Sequence, residues 1–413
     1  MKTQGSVFSL VKVMLGILLL VGCAHNVLVV GGMDNNGNFL NTAEIYDPTS
    51  GTFVSVNPMS TGRMSASVTT LADNTVLVAG GEGATAAKTA EYFQPSNSTF
   101  SLTSGMLNNN RIAHTATWLD NAVVSGQLAN AVLITGGDAF SRTGTAEIYN
   151  PAAKIFTNTS NMLTPRTQHT AVLISNCHCQ ADGKVLVVGG YDNGFNVLPT
   201  AELYDTITQT FTATGVMHTP RFRHTATLLA NGTVLITGGA SQMQAKPGDI
   251  NPALNTAEIY DPKTGKFTLS KGNMTAYREA HGASLLQDGT VLLTGGQDQH
   301  FLIENTAELY NPNTGTFNAL SNSCAGSPPP AGCMMVGRDF HITETLDDGR
   351  VLIAGGVNSN FQTVASAEIY SPSTKTFSLT GSMSTPRNGA GASLISSGIG
   401  TRIQTNRQIK KHH

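Results

Sequence analysis

Apolar residues along this chain come in short runs that stop at paired glycines. Seven such runs occur: "VLVVGG" from Val27, "VLVAGG" from Val76, "VLITGG" from Val132, "VLVVGG" from Val185, "VLITGG" from Val234, "VLLTGG" from Val291 and "VLIAGG" from Val351. A second element follows each, of the form "TAEIYDP", beginning at Thr42, Thr89, Thr145, Thr200, Thr256, Thr306 and Ser366. A third is short and ends at Phe53, Phe100, Phe156, Phe211, Phe267, Phe317 and Phe377. The fourth is an arginine leading into an alternating run such as "HTATLL" from His224. Each element is short, rich in β-branched or aromatic residues and bounded by Gly, Asn, Asp or Pro. These are strand signals, and none of the runs is long enough for a helix.

The period, read from the first glycines at 31, 80, 136, 189, 238, 295 and 355, is 49 to 60 residues. Four antiparallel strands at such a period make one blade of a β-propeller. The order of diglycine, spaced tyrosine and aromatic resembles the kelch repeat, in the version found in the propeller of galactose oxidase-like proteins. The resemblance runs from Val27 to about Ile395. It implies an all-β, seven-bladed propeller in which the diglycine ends the second strand and the "RxxHTATLL" run is the innermost one. The first copy begins directly at its second strand, so its innermost strand is expected from "RNGAGASLIS", Arg387 to Ser396. That C-terminal strand would complete the first blade, close the ring and hide the open edges.

Composition agrees with short strands and tight turns. Of 413 residues 43 are glycine, only 12% are charged, and 40% are hydrophobic. A net charge of −2 gives no electrostatic reason to expect a nucleic-acid partner. The N-terminus differs from the rest. Lys2 and Lys12 precede the apolar "VMLGILLLVG", the plan of an export signal. Leu20-Val21-Gly22-Cys23 resembles a bacterial lipobox, in which Cys23 becomes the lipidated first residue. The expected organisation is a signal at 1–22, a propeller at 23–397 and a basic tail at 398–413. The expected location is outside the cytoplasm, on a lipid anchor, as a monomeric propeller.

The arginines and histidines of the fourth element look like a site. Arginine recurs at Arg63, Arg111, Arg166, Arg221, Arg278, Arg338 and Arg387. Histidine follows three residues later at His114, His169, His224, His281 and His341, with Ala66 and Ala390 in the other copies. The "TAE" element supplies Glu44, Glu91, Glu147, Glu202, Glu258, Glu308 and Glu368. Catalysis needs different residues in different roles at one place, whereas these recur around a ring. The Arg and Glu are therefore expected to pair as a structural ring, planar guanidinium on carboxylate. The five histidines are expected to be structural as well, or else to line a channel mouth that holds an anion, a metal or a polar ligand. The diglycines suit strand-end packing and positive φ. No helix-forming sequence follows them to make a phosphate loop.

Function is better sought where the copies differ. The loop between second and third strands has seven to nine residues in six copies but sixteen at Ala240 to Asn255. The link from Phe317 to Arg338 is about ten residues longer than its equivalents and holds Cys324 and Cys333, expected to form a disulfide. Both should project from the Arg/His face, where Tyr191, Phe195, His300 and Phe301 are further contact candidates. Insertions at "DNAVVSGQLAN" and "NCHCQADGK" belong to the opposite face. Cys177, His178 and Cys179 could supply three metal ligands, but a local disulfide or a pair of free thiols is the simpler expectation. "MDNNGN" from Met33 resembles a calcium loop without its spaced carboxylates, and reads as a polar turn.

These features point to a noncatalytic binding or scaffold propeller that holds a protein or a glycan, with no cofactor. The galactose oxidase resemblance implies an alternative, copper-dependent alcohol oxidation. That chemistry needs a cysteine cross-linked to a tyrosine and a second tyrosine followed directly by histidine. No Tyr-His dipeptide occurs here and no cysteine lies beside a tyrosine in a blade. Glycoside hydrolysis would need paired carboxylates outside the repeat, and none stands out in the sequence.

Overall fold

A computed structural model describes residues 25–121, 123–137, 144–243 and 252–396. The export signal at 1–22, Cys23 and the tail from 398 lie outside the described residues, as do residues 244–251 of the long loop. Twenty-eight strands among the described residues form seven four-stranded antiparallel sheets. Two single-turn 3₁₀ helices, Ala86–Lys88 and Gly126–Leu128, are the described helical elements.

The sheets are the blades of a ring. We letter the strands of each blade a to d from the axis outwards. Blade 1 takes its strands b, c and d from His25–Val30, Ala43–Asp47 and Thr52–Val56. Its strand a is Gly391–Ser396, from the other end of the chain. Val27 pairs with Leu394 and Leu28 with Ser393, so the expected C-terminal segment closes the ring. Blades 2 to 7 follow in chain order, each contributing its own four strands.

Strands b read as unbroken apolar runs because each blade is covered on both faces by its neighbours. In blade 2, Val76 and Val78 face Leu28 and Val30 of blade 1, while Leu77 and Ala79 face Val132 and Ile134 of blade 3. All four side chains are buried. The core is thus a series of blade-to-blade seams rather than one central mass. Six strands c set a buried tyrosine against the phenylalanine of strand d, as in Tyr46–Phe53 with ring centroids 4.8 Å apart; in blade 2 Phe93 replaces the tyrosine.

The diglycines are where one blade approaches the next. In blade 4, a Cβ on Gly189 would lie 2.5 Å from the Arg221 carbonyl oxygen and 2.6 Å from Cε1 of His224. A Cβ on Gly190 would strike the Thr167 carbonyl oxygen and the His169 Cβ of its own blade. Both glycines have positive φ, 68° and 83°. The pair therefore lets the chain turn at a strand end while the neighbouring backbone passes at contact distance.

Candidate functional site

The face that carries the b–c loops and the d-to-a links holds three nested rings of side chains. The deepest is ionic. Arg221 donates from Nη2 to Oε1 of Glu258 at 3.0 Å, and from Nη1 to the carbonyls of Gly238 and Thr256. The six other arginines bond the same way to Glu91, Glu147, Glu202, Glu308, Glu368 and Glu44. The second carboxylate oxygen accepts from the backbone of the incoming d-to-a link, such as Leu163 N on Glu202 at 2.7 Å. Every one of these Arg and Glu side chains is buried. They join each blade to the link from its predecessor and present nothing to solvent.

The second ring is imidazole. His224 Nε2 lies 2.9 Å from Oγ1 of Thr170, on the innermost strand of the preceding blade. His169 reaches Thr115 and Thr135, His281 reaches Thr225 and Thr237, and His114 reaches Ser67. His341 bonds Thr294 instead, because Gly282 stands where the blades facing the other four histidines carry Ser67, Thr115, Thr170 and Thr225. Burial, reinforced by nearby arginine charges, pushes His114, His224 and His341 down to about 3. It holds His169 and His281 well below the ordinary value. The five rings are neutral blade-to-blade latches with their Nε2 atoms engaged.

The third ring is one the sequence pattern hides. The residue two after each arginine is Ser65, Ala113, Gln168, Arg223, Ala280, Phe340 or Gly389, and all seven have φ between 48° and 58°. Their backbones bond to one another around the axis. Gln168 N donates to Ala113 O, Arg223 N to Gln168 O, Ala280 N to Arg223 O, and Phe340 N to Ala280 O. Gly389 N then donates to Phe340 O and Ser65 N to Gly389 O. Six non-glycine residues in the left-handed region are tolerated because this collar and the arginine beneath it fix the backbone. The collar rims a funnel of ≈ 370 Å³ whose wall includes the five histidines.

One sector of the collar carries charge and aromatic surface. Arg223 donates from Nε to Gln168 Oε1 at 3.0 Å and lies 3.6 Å from Oε2 of Glu279. Its guanidinium is over the rings of Phe222 at 5.5 Å and Phe340 at 5.1 Å, within cation–π range. Glu279 is buried, and so is Asp339, the matching residue of the next blade. Burial first, then the Glu279 charge, pushes Asp339 up to about 7 against the pull of Arg223. Its Oδ1 is buried without a hydrogen-bond partner. Beside this group is a second cavity of ≈ 320 Å³, lined by Phe222, Arg223, Gln242, Met243, Glu279 and Phe301 among others.

The b–c loops carry this sector outwards. Asp192, Asp298 and Asn358 each cap their own loop, as when Asp298 Oδ1 accepts from His300 N at 2.7 Å and Leu302 N at 2.8 Å. Each such turn presents one phenylalanine in the left-handed region: Phe195, Phe301 and Phe361. Tyr191 stacks on Phe195 at 6.2 Å and meets Phe222 edge-on at 5.6 Å. Of the sequence candidates, Tyr191, Phe195 and Phe301 therefore join the Arg223 sector, while His300 is exposed beside Gln299. Asp34, in the calcium-like stretch, spends Oδ1 on its own loop amides at 2.8 and 2.9 Å, as a polar turn does.

Glu279 and Asp339 occupy the same repeat position in adjacent blades, near enough for the Glu279 charge to add to burial in raising Asp339. Cys177 and Cys179 are bonded to each other, so the thiolate pair a metal would need is taken up. Cys324 and Cys333 are also bonded.

Comparison with known proteins gives the same architecture. Residues 20–60 match the model of the kelch motif. Kelch-like protein 25 of Xenopus tropicalis is 26% identical over 140 residues, which is 34% of this chain and 22% of that protein. The chain thus spans about a fifth of the curated relative it matches. Among solved structures, a fungal alcohol oxidase of the AA5 family, in complex with copper, is similar with a TM-score of 0.60 at 17% identity. That match covers 83% of this chain and 72% of the oxidase. YjhT is similar with a TM-score of 0.55 at 12% identity, over 77% of this chain and 97% of that one. At such identities the likeness is one of fold. Among the described residues the oxidase's copper finds no fitting ligand set. The four described cysteines are in disulfides, and no group of three His, Cys, Asp or Glu is placed to hold a metal among the described residues.

Proposed function

This chain is a kelch-repeat β-propeller, and on that premise we propose that it is a noncatalytic binding propeller that recognises a glycan or a protein through its b–c loop face. The observation that carries this reading is the Arg223 sector: aromatic rings, a clamped guanidinium and amide side chains arrayed over two openings that share Arg223 in their walls. Rigid aromatic and arginine groups give affinity at low conformational cost, in sugar stacking as in protein hot spots. The repeated arginines and glutamates, all buried, supply the frame that holds them. Export, with lipidation at Cys23, is part of the same proposal, supported by Lys2 and Lys12 before the apolar run that ends in Leu20-Val21-Gly22-Cys23.

A second reading has one specific support. Asp339, raised to about 7 by burial and then by the Glu279 charge, holds a proton near neutral pH of the kind that acid–base work on a sugar would use. The two readings separate on Asp339→Asn. A glycan array and a capture experiment with purified candidate proteins identify the ligand, and Asp339→Asn then leaves its binding intact under the first reading. Turnover of any arrayed glycan by the native chain, abolished in Asp339→Asn, would replace the first reading with the second. Absence of ligand on the array and from the candidate proteins alike would overturn the binding proposal.

A further inference from the structure

The face opposite the funnel carries a second chemically distinctive group. In blade 4 the turn between strand a, Thr170–Leu173, and strand b, Val185–Val188, contains the Cys177–Cys179 disulfide, which encloses a single residue, His178. We infer that this bond is a thiol-exchange site, opened by a thiol from solvent and re-formed by a disulfide while the propeller stays folded.

Three observations carry the inference. The first is ring size. A cross-link between residues two apart removes little freedom from the unfolded chain, whereas Cys324–Cys333, nine apart, removes more. The fold therefore depends little on the smaller bond.

The second is that the loop is held by other means. Cys177 N donates to Asp182 Oδ1 at 2.9 Å and Asp182 N to Cys179 O at 3.1 Å. Ile174 N donates to Lys184 O at 2.9 Å, and Thr206 Oγ1 to Gly183 O at 2.8 Å. The turn of the next blade lies directly on this backbone, with space for a Cβ at Gly232 limited to 2.6 Å from the Cys177 Cα. Opening the bond leaves these contacts in place, so both sulfurs stay near each other for re-oxidation.

The third is asymmetry. Cys177 is 1% exposed and packs with Ile174 and Ala181, whereas Cys179 is only partly buried. On either side of Cys177, Asn176 and His178 adopt φ of 62° and 50°, the bend that lets side chains two apart meet. Cys179 is therefore the half of the bond open to a thiol from solvent, and a disulfide with an accessible sulfur is more easily reduced than a fully buried one.

The chemistry balances as follows. A thiolate attacks the Cys179 sulfur, the Cys177–Cys179 bond breaks, and Cys177 leaves and takes up a proton in its apolar pocket. The new mixed disulfide joins Cys179 to the attacking thiol. A second thiol attacks that thiol's sulfur, releases Cys179 as a thiol and leaves as the oxidised partner disulfide. Two electrons pass from two thiols to the protein, and a partner disulfide reverses the sequence.

The test uses the full chain in its native state. Samples are equilibrated with graded mixtures of reduced and oxidised glutathione, or with the CxxC oxidoreductase thioredoxin, then alkylated and mapped by peptide mass spectrometry. Near-ultraviolet circular dichroism follows the fold in the same samples. We expect Cys177–Cys179 to reach half reduction at a glutathione concentration at least tenfold below that needed for Cys324–Cys333, with the dichroism unchanged. A mixed disulfide on Cys179 with glutathione assigns a small thiol as partner chemistry, and reduction only by thioredoxin assigns a protein dithiol. Reduction of Cys177–Cys179 only together with Cys324–Cys333, or only with loss of the dichroism signal, would overturn the inference.

Discussion

Arg387 donates from Nη2 to Oε1 of Glu44 at 2.9 Å, joining residues 343 apart in the chain. It is the same bond that Arg221 makes with Glu258, moved to the place where the two ends of the ring meet. Ring closure is thus the repeat's own geometry applied once more, with strand a of blade 1 arriving from the C-terminal side.

Removing that partner should open the seam where the two ends of the chain meet. Both side chains are buried, so Arg387→Ala leaves the Glu44 carboxylate without its cation. We expect a loss of about 3–5 kcal/mol in denaturant unfolding. Arg387→Lys should recover only part of it, because an ammonium cannot serve Glu44 and the carbonyls of Gly31 and Thr42 together.

The diglycines should be as intolerant as the ionic ring. Gly189→Ala places a methyl against Arg221 and His224 while holding alanine at φ 68°. Positive φ and overpacking together give a destabilisation of about 2–5 kcal/mol, read as a fall in melting temperature. Gly37→Ala, in an open turn with nothing within 4 Å, should cost only the backbone share, about 1–2 kcal/mol.

Acid should loosen the blades. The five latch histidines have folded values below that of an unfolded histidine, about 6.5. Between about pH 6.5 and 3 the unfolded chain therefore binds more protons at these sites, and the stability they contribute above pH 6.5 is lost as pH falls. Asp339 and Glu344, both raised to about 7 chiefly by burial, act in the opposite sense between about pH 7 and 4. The five imidazoles outnumber the two carboxyls, so the net effect below about pH 6.5 is a fall in stability. Unfolding titrations at pH 7, 5.5 and 4.5 should show this decline. Stability that stays level or rises over that range would contradict the latch.

The same distinction explains what the sequence makes legible. The seven-fold period, the strand phase and the source of blade 1's last strand are readable because side chains buried on both faces must recur in every copy. The collar is not readable. Its positions are the second variable residue of "RxxH", where Gln168, Arg223, Phe340 and Gly389 share a backbone conformation but no side-chain chemistry. Glu279 and Asp339, sixty residues apart, come within electrostatic range only because adjacent blades bring equal repeat positions near each other. The histidines are the intermediate case. Their recurrence hints at architecture, but the hydroxyls that engage them belong to the preceding blade and are visible only in three dimensions.

The central claim is that repeated residues build the frame and the non-repeated residues of one sector do the recognising. It is tested most directly by comparing the native chain with the Arg223→Ala, Phe340→Ala double variant against the ligand found on the array or among the candidate proteins. Thermal unfolding is measured in parallel. Binding should weaken at least about tenfold, as for loss of central anchor residues, while the melting temperature moves far less than in Arg387→Ala. Unchanged affinity in a folded double variant would contradict the placement of recognition at this sector.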